Sequence, residues 1–305
     1  MRTQTFRTAV VRTPAGPDSI EIIDLPVVEP GPGEVRVRIA AAPVNPVDLA
    51  VAGGVFHDMG LVDQAGWTGL GWDFAGTVAA AGAGVDLTPG TRVAGLIEGF
   101  DRDFGTYAEQ AVVPAADLGV VPDDLELAAA STVPLNGLAA SQIVDLLGDA
   151  PADRNRLLVT GAAGAVGGYV LSLAPERGWQ VTGLARAEDE EFVRGLGAEF
   201  TAHAEPGWHA VADGAVLQER GLALVRDGGI FVGVRPSAEP PTERGITVVA
   251  VETHADGRRL TALLARTASG ELPARVHAVF PLDQVADAHR AVAKGGVRGR
   301  YVIRP

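Results

Sequence analysis

The chain has 305 residues and no cysteine, with 25 Lys and Arg against 38 Asp and Glu, giving a formal net charge of −13. The missing cysteine excludes disulfides, thiol catalysis and thiolate metal sites. The acidic balance, with arginines scattered and no basic run, argues against nucleic acid as a partner. Although 47% of the residues are hydrophobic, no apolar run approaches the roughly 18–20 residues that span a bilayer. The opening residues lack the apolar centre of an export signal and read as a strand, so a cytoplasmic protein with no membrane role is expected. The length suits two domains.

Up to about Pro122 the chain consists of short β-like runs, at 35–39, 75–78, 92–97 and 108–113, separated by Gly and Pro clusters such as Pro30-Gly31-Pro32-Gly33 and Pro89-Gly90. That punctuation predicts a compact, irregular β-rich barrel or sheet. From Asp123 helices alternate with apolar strands: helices are expected at 125–133, 137–147, 166–174 and 188–196, and strands at 157–160, 180–184, 210–212, 229–234 and 246–251. Such alternation predicts a parallel sheet covered on both faces. A helix at 258–267 follows. Residues 276–282, a helix at 283–294 and a strand at 300–304 look unlike further repeats of that pattern and are expected to return to the first domain. The predicted division is 1–122 with 272–305 for the β-rich domain and 123–271 for the doubly wound domain, with a cleft between them.

The most informative stretch is Thr160-Gly161-Ala162-Ala163-Gly164-Ala165-Val166-Gly167, which follows the apolar run Leu157-Leu158-Val159. Strand, glycine turn and helix start form a dinucleotide-binding arrangement. Gly161 permits the tight turn, Gly164 lets backbone approach a pyrophosphate, Gly167 lets the helix pack closely, and the helix start offers unpaired N–H groups to the anion. Ala162, Ala165 and Val166 complete the expected contact surface. The next strand ends at Ala185-Arg186 rather than in the acidic residue that usually binds the ribose of NAD. Arg186 can pair with a 2′-phosphate, which points to NADPH. The alternative is a solvated surface arginine ahead of the acidic run Glu188 to Glu191.

Several separated segments then resemble the medium-chain dehydrogenase/reductase superfamily, and within it the zinc-independent NADPH quinone oxidoreductase branch. They are Ala42-Pro-Val-Asn45-Pro-Val-Asp48, Gly71-Trp-Asp-Phe-Ala-Gly-Thr-Val78, Gly105-Thr-Tyr-Ala-Glu109, Val133-Pro-Leu-Asn136, the glycine turn, Gly195-Leu-Gly-Ala198, Val225 to Val232 and Val297-Arg-Gly-Arg300. The resemblance implies a GroES-like catalytic domain, a Rossmann domain and a homodimer, paired by sheet edges near 246–251.

The zinc branch carries Cys and His-Glu where this chain has Val44-Asn45 and Trp72-Asp73, so no metal site is expected. By resemblance Asn45 and Asp48 are the catalytic candidates: Asn45 to bind the substrate oxygen or nicotinamide ribose, Asp48 to orient that loop. Both are also ordinary turn formers beside Pro46. The resemblance further assigns cofactor contacts to Asn136, Gly233, Val234, Val251 and Thr253. Arg298 and Arg300 either reach the cofactor or decorate the last strand. A tyrosine common after the first motif in quinone reductases is replaced by Ala50-Val51-Ala52, which leaves the proton donor open. His57 is the one histidine suited to test as an acid, and Trp67, Trp72, Phe100 and Phe104 could wall a pocket for a planar acceptor.

Lys294 is the sole lysine, and it lacks the Tyr four residues earlier that short-chain dehydrogenases use. A P-loop is likewise absent. The expected function is hydride transfer from NADPH to a quinone or other conjugated carbonyl. The alternatives are reduction of an enoyl-thioester or natural-product double bond and, in another class, a catalytically silent NADPH-binding or structural protein.

Overall fold

A computed structural model describes residues 4–305. It divides into two compact units: residues up to Leu135 with Ala255–Gly270 and Ala274–Pro305, and Asn136–His254 with Glu271–Pro273. In the first unit β1 (Thr5–Val11) pairs antiparallel with β2 (Ile20–Pro26). The long strand β3 (Glu34–Pro43) buries Val35, Val37 and Ile39 and turns Arg36 and Arg38 outward, the two-residue period of a half-buried strand. After it come α1 (Pro46–Ala52), α2 (Val55–Asp58), β4 (Thr68–Gly69), β5 (Asp73–Ala81), β6 (Arg92–Leu96), β7 (Gln110–Pro114) and β8 (Leu118–Val120).

The helix expected at 125–133 is a single turn, α3 (Leu127–Ala130), and α4 (Pro134–Leu147) begins three residues before its expected start at 137. Pro134 explains the early start, because its fixed φ suits the first helical position and its missing N–H is one the helix would not use there.

The second unit holds β9 (Arg156–Thr160), α5 (Ala165–Leu173), β10 (Gln180–Leu184), α6 (Glu190–Gly195), β11 (Glu199–Thr201), β12 (Trp208–Asp213), α7 (Glu219–Leu222), β13 (Val225–Gly233) and β14 (Thr247–Ala250). All neighbours pair in parallel, in the six-stranded order β11-β10-β9-β12-β13-β14. This is the doubly wound order in which the connection reverses direction beside the first strand, here between β9 and β12, and opens a crevice at the strands' carboxyl ends. Leu158, Val211 and Phe231 fill its core with Trp208 and Ile246.

The chain then returns through α8 (Gly257–Ala268), β15 (Val276–Pro281), α9 (Val285–Lys294) and β16 (Arg300–Arg304). Strand β16 pairs antiparallel with the end of β3, Val302 opposite Pro43, completing a seven-stranded sheet with β7 beside β3.

Residues 123–135 and 255–270, expected with the doubly wound part, group with the first unit instead. The reason for α8 is close packing on β8: a Cβ on Gly257 would lie 2.4 Å from the Leu118 carbonyl oxygen, and Val120 N–H donates to Thr261 Oγ1 at 3.1 Å. The fold class is thus α/β, a β-rich unit and a parallel-sheet unit. Among the described residues no helix is long and apolar enough to cross a membrane.

Candidate active site

The glycine turn leaves β9 with Gly161 at φ 60°, a left-handed conformation that favours glycine. A Cβ at Gly167 would stand 2.3 Å from the Gly161 carbonyl oxygen, so α5 can lie against the turn only without a side chain there. Gly164 caps α5 without any side-chain hydrogen bond, leaving the first N–H groups of the helix unclaimed by a side-chain cap. Across the strand reversal, Thr160 Oγ1 donates to Asp213 Oδ1 at 2.5 Å, Gln218 N–H to Asp213 Oδ2 at 2.9 Å and Ala215 N–H to Thr160 Oγ1 at 3.1 Å. These bonds tie the turn to the end of β12. Sequence reasoning missed Asp213, whose partner lies 53 positions away; a carboxylate ending an apolar strand was the available signal.

Arg186 follows the carboxyl end of β10 and is exposed, its guanidinium 3.7 Å from Glu188. Gly233 ends β13 and Val234 follows it. Val251 N–H donates to the Gly233 carbonyl at 2.9 Å, with Thr253 two residues on. The parallel sheet therefore brings the glycine turn, Arg186, Gly233, Val234, Val251 and Thr253 to one edge, the carboxyl ends of β9, β10, β13 and β14. Asn136 is buried in the first turn of α4.

The first unit carries a buried polar cluster. Asn45 precedes Pro46 in extended conformation and caps α1. Asp48, in the first turn, accepts from Asn45 N–H at 2.8 Å and Gly71 N–H at 3.2 Å. The Asn45 amide is engaged at both ends: Nδ2 donates to Asp73 Oδ1 at 2.7 Å, and Oδ1 accepts from the Arg300 guanidinium. Arg300 also donates to the Val44 carbonyl at 2.5 Å. Asp73 Oδ2 accepts from Leu135 N–H at 3.3 Å.

Arg300 was expected on the cofactor or on the surface. The structure instead turns it onto Asn45, because β16 lies beside β3 and delivers its first residue to the loop that follows β3. Arg298 precedes β16 in the same unit. Arg102, which sequence reasoning missed, donates to the carbonyls of Ile97 and Gly71, both at 2.5 Å.

Burial pushes the Asp48 carboxyl up to about 6, against hydrogen bonds from Asn45 and Tyr107 and the charges of Arg102 and Arg300. Burial likewise raises Asp73 to about 7, opposed by Arg300 and assisted by the neighbouring Asp48. Burial lowers Arg102 to about 10 and raises the Tyr107 phenol well above its ordinary value. These are the marks of a low-dielectric cluster in which guanidiniums compensate paired carboxylates.

Of the expected aromatic wall, Trp72 and Phe100 meet at 5.3 Å between ring centroids, and Phe56 stacks on Phe100 at 3.8 Å. Trp67 instead donates its indole N–H to the Asp103 carbonyl at 2.8 Å, and Phe104 packs edge-on against Phe6. His57 Nε2 lies 3.3 Å from Thr68 Oγ1. Among the described residues no group of three or more His, Asp or Glu is placed to hold a metal ion.

Residues 31–123 match the alcohol dehydrogenase GroES-like domain, and residues 188–303 match the zinc-binding dehydrogenase family. A solved NAD-dependent alcohol dehydrogenase is 30% identical with a TM-score of 0.82, covering 98% of this chain and 99% of that one. The chain belongs to the medium-chain dehydrogenase/reductase superfamily.

Relatives of this superfamily include the chloroplastic quinone-oxidoreductase homolog of Spinacia oleracea, 30% identical over 60% of this chain and 56% of its own length. The trans-enoyl reductase tazE of Aspergillus terreus is 28% identical over 63% of this chain and 66% of its own length. The chain therefore spans just over half of the spinach relative. The second unit has the features that fit a dinucleotide. The cradle that a Cβ at Gly167 would fill, the start of α5 without a side-chain cap and the strand reversal coincide at Gly161–Gly167.

Proposed function

We propose that the protein is a zinc-independent, NADPH-dependent reductase that delivers hydride to a quinone or another conjugated carbonyl acceptor. The observation that carries this reading is the engagement of Asn45. Catalytic zinc in proteins takes thiolate, imidazole or carboxylate ligands with a free lone pair. At the two positions concerned, the Asn45 amide oxygen faces the Arg300 guanidinium, both Asp73 oxygens accept N–H groups, Trp72 offers an indole, and the chain has no cysteine. These residues do not fit a zinc ion. Without a Lewis acid, charge developing on an isolated carbonyl or alcohol oxygen goes unstabilised, whereas a conjugated acceptor spreads it over its own π-system.

A dihydronicotinamide, when bound, supplies the hydride from its C4. The chain's own residues bind and orient. Gly161 to Gly167, with Ala162, Ala165 and Val166, hold the pyrophosphate against the start of α5. Gly233, Val234, Val251, Thr253 and Asn136 line the nicotinamide end. Arg186 pairs with the 2′-phosphate of NADPH, since no carboxylate stands at the end of β10 and its exposed contact with Glu188 is of the weak kind that a phosphate displaces. Asp48, Asp73 and Arg300 keep Asn45 and its loop in one conformation, which is preorganisation for a substrate in the first unit.

Parallel fluorescence titrations with NADPH and NADH, then oxidation of each against quinones and enones with and without a zinc chelator, test this reading. NADPH preference and chelator-insensitive turnover are expected. NADH preference, or loss of activity on chelation, overturns it. The similarity to a trans-enoyl reductase supports a second reading, the double bond of an enoyl thioester, and adding such thioesters to the panel separates the two. A homodimer paired along β14, the edge strand of its sheet, completes the proposal; a monomeric mass in solution rules it out.

A further inference from the structure

We infer that the indole N–H of Trp72 is the hydrogen-bond donor to the acceptor's carbonyl oxygen. The inference rests on the reading of the protein as a reductase of conjugated carbonyls and names the group that polarises the substrate there. Trp72 is 8% exposed, and its Nε1 is buried with no hydrogen-bond partner. Buried donors in folded proteins nearly always have partners, so an orphaned one calls for a ligand. The ring is held from several sides. Arg102 lies over it with its guanidinium carbon 4.9 Å from the ring centroid, and Phe100 meets it at 5.3 Å and 64°. Its backbone is fixed as well: the Trp72 carbonyl accepts from Ile97 N–H at 2.7 Å, and the preceding Gly71 donates to Asp48 and accepts from Arg102. A donor immobilised in this way needs no reorganisation when charge develops on the oxygen it faces.

Asn45, the amide otherwise placed for that task, has its Nδ2 committed to Asp73 and its Oδ1 to Arg300. Trp72 is its neighbour through Asp73 and has a free N–H. The stacked pair of Phe56 and Phe100, both partly exposed, forms the outer part of the same cluster. A flat conjugated molecule that takes the place of Phe56 on Phe100 replaces that stacked contact with its own π-face and brings its oxygen toward the indole edge while Trp72 stays in place. An aliphatic acceptor gains none of that stacking. Substrate recognition is therefore aromatic stacking plus one indole hydrogen bond.

The test uses the full chain with NADP⁺ bound and the chromophore 4-(dimethylamino)cinnamaldehyde, whose absorption moves to the red when its carbonyl accepts a hydrogen bond. The wild type should show that shift and Trp72→Phe, which keeps a ring but removes the N–H, should lose it, with NADP⁺ affinity unchanged. Phe100→Leu keeps the donor, so the shift should persist while the chromophore binds about tenfold more weakly for the lost ring contact. No shift in the wild type, or a full shift in Trp72→Phe, overturns the inference. If Trp72→Phe does not fold, unchanged affinity in Phe100→Leu overturns it through the stacking route. A wild type that shows the shift but reduces no quinone or enone defeats the proposed reaction while leaving the donor assignment standing.

Discussion

In the second unit the candidate cofactor residues cluster in Gly161–Gly167 and at neighbouring strand ends, and what they present is mainly backbone. In the first unit Asn45, Asp48, Asp73, Arg102 and Arg300 act through side chains gathered from the whole chain, Arg300 bonding Asn45 from 255 positions away. The two regions therefore fail in different ways. A backbone cradle tolerates most neighbours and cannot tolerate an added atom. A buried charge cluster tolerates changes of shape and cannot tolerate a change in its charge balance, because each remaining ion is then left without compensation in a poor dielectric.

The sharpest way to break that contrast is Arg300→Met. It removes the cation shared by Asn45 and the two carboxylates, and the expected loss is about 3–5 kcal/mol in urea unfolding at pH 7. Adding Asp73→Asn should recover part of it, and simple additivity of the two changes would show that the charges are not coupled. In the second unit Gly167→Ala is expected to cost roughly 1–3 kcal/mol through overpacking, since its Cβ would meet the Gly161 carbonyl at 2.3 Å. Nucleotide binding should be lost with it in a fluorescence titration, whereas Arg300→Met should leave nucleotide affinity intact. Thr160→Val should cost roughly 1–2 kcal/mol by stripping a hydrogen bond from the buried Asp213, measured the same way.

The cluster's pH dependence sharpens the comparison further. Burial raises Asp73 to about 7 from an ordinary value of 3.8, so the folded protein holds a proton that the unfolded chain releases. Its contribution to stability is complete below about pH 4 and disappears as pH rises through about 7. Relative to Asp73→Asn, the wild type should therefore lose stability as pH rises from about 4 to about 7; equal slopes in urea titrations at several pH values would refute the assignment. The smallest effect on folding belongs to Arg186→Ala, within about 0.5 kcal/mol because the side chain is exposed. Its NADPH affinity should nevertheless fall about tenfold with NADH affinity unchanged.

The glycine turn was legible in the sequence because its physics is local: a turn, a close approach and a helix start are encoded within a few residues. Asp48 was singled out only through the family resemblance, and its place in the first turn of the helix that Asn45 caps was not read from the sequence. Arg300 was misplaced because strand β16 alone does not reveal that it will lie against β3. Arg102 carried no local signal and Tyr107 none beyond its place in a family-like segment, and their surroundings depend on burial beside carboxylates distant in the chain. Residues 255–270 were grouped with the wrong neighbours because an amphipathic helix reads the same whichever sheet it packs on.

By itself the sequence determined the doubly wound pattern, the glycine cradle, the lack of thiolate ligands and the absence of an acidic residue at the end of β10, since each depends on residue type and short spacing. Only the tertiary structure decided that Arg300 and Asp73 hold the Asn45 amide and that Trp72 keeps an unpartnered N–H beside it. Those facts depend on which buried groups meet, and a side chain's hydrogen bonds in a low-dielectric interior are fixed by neighbours that chain order does not disclose.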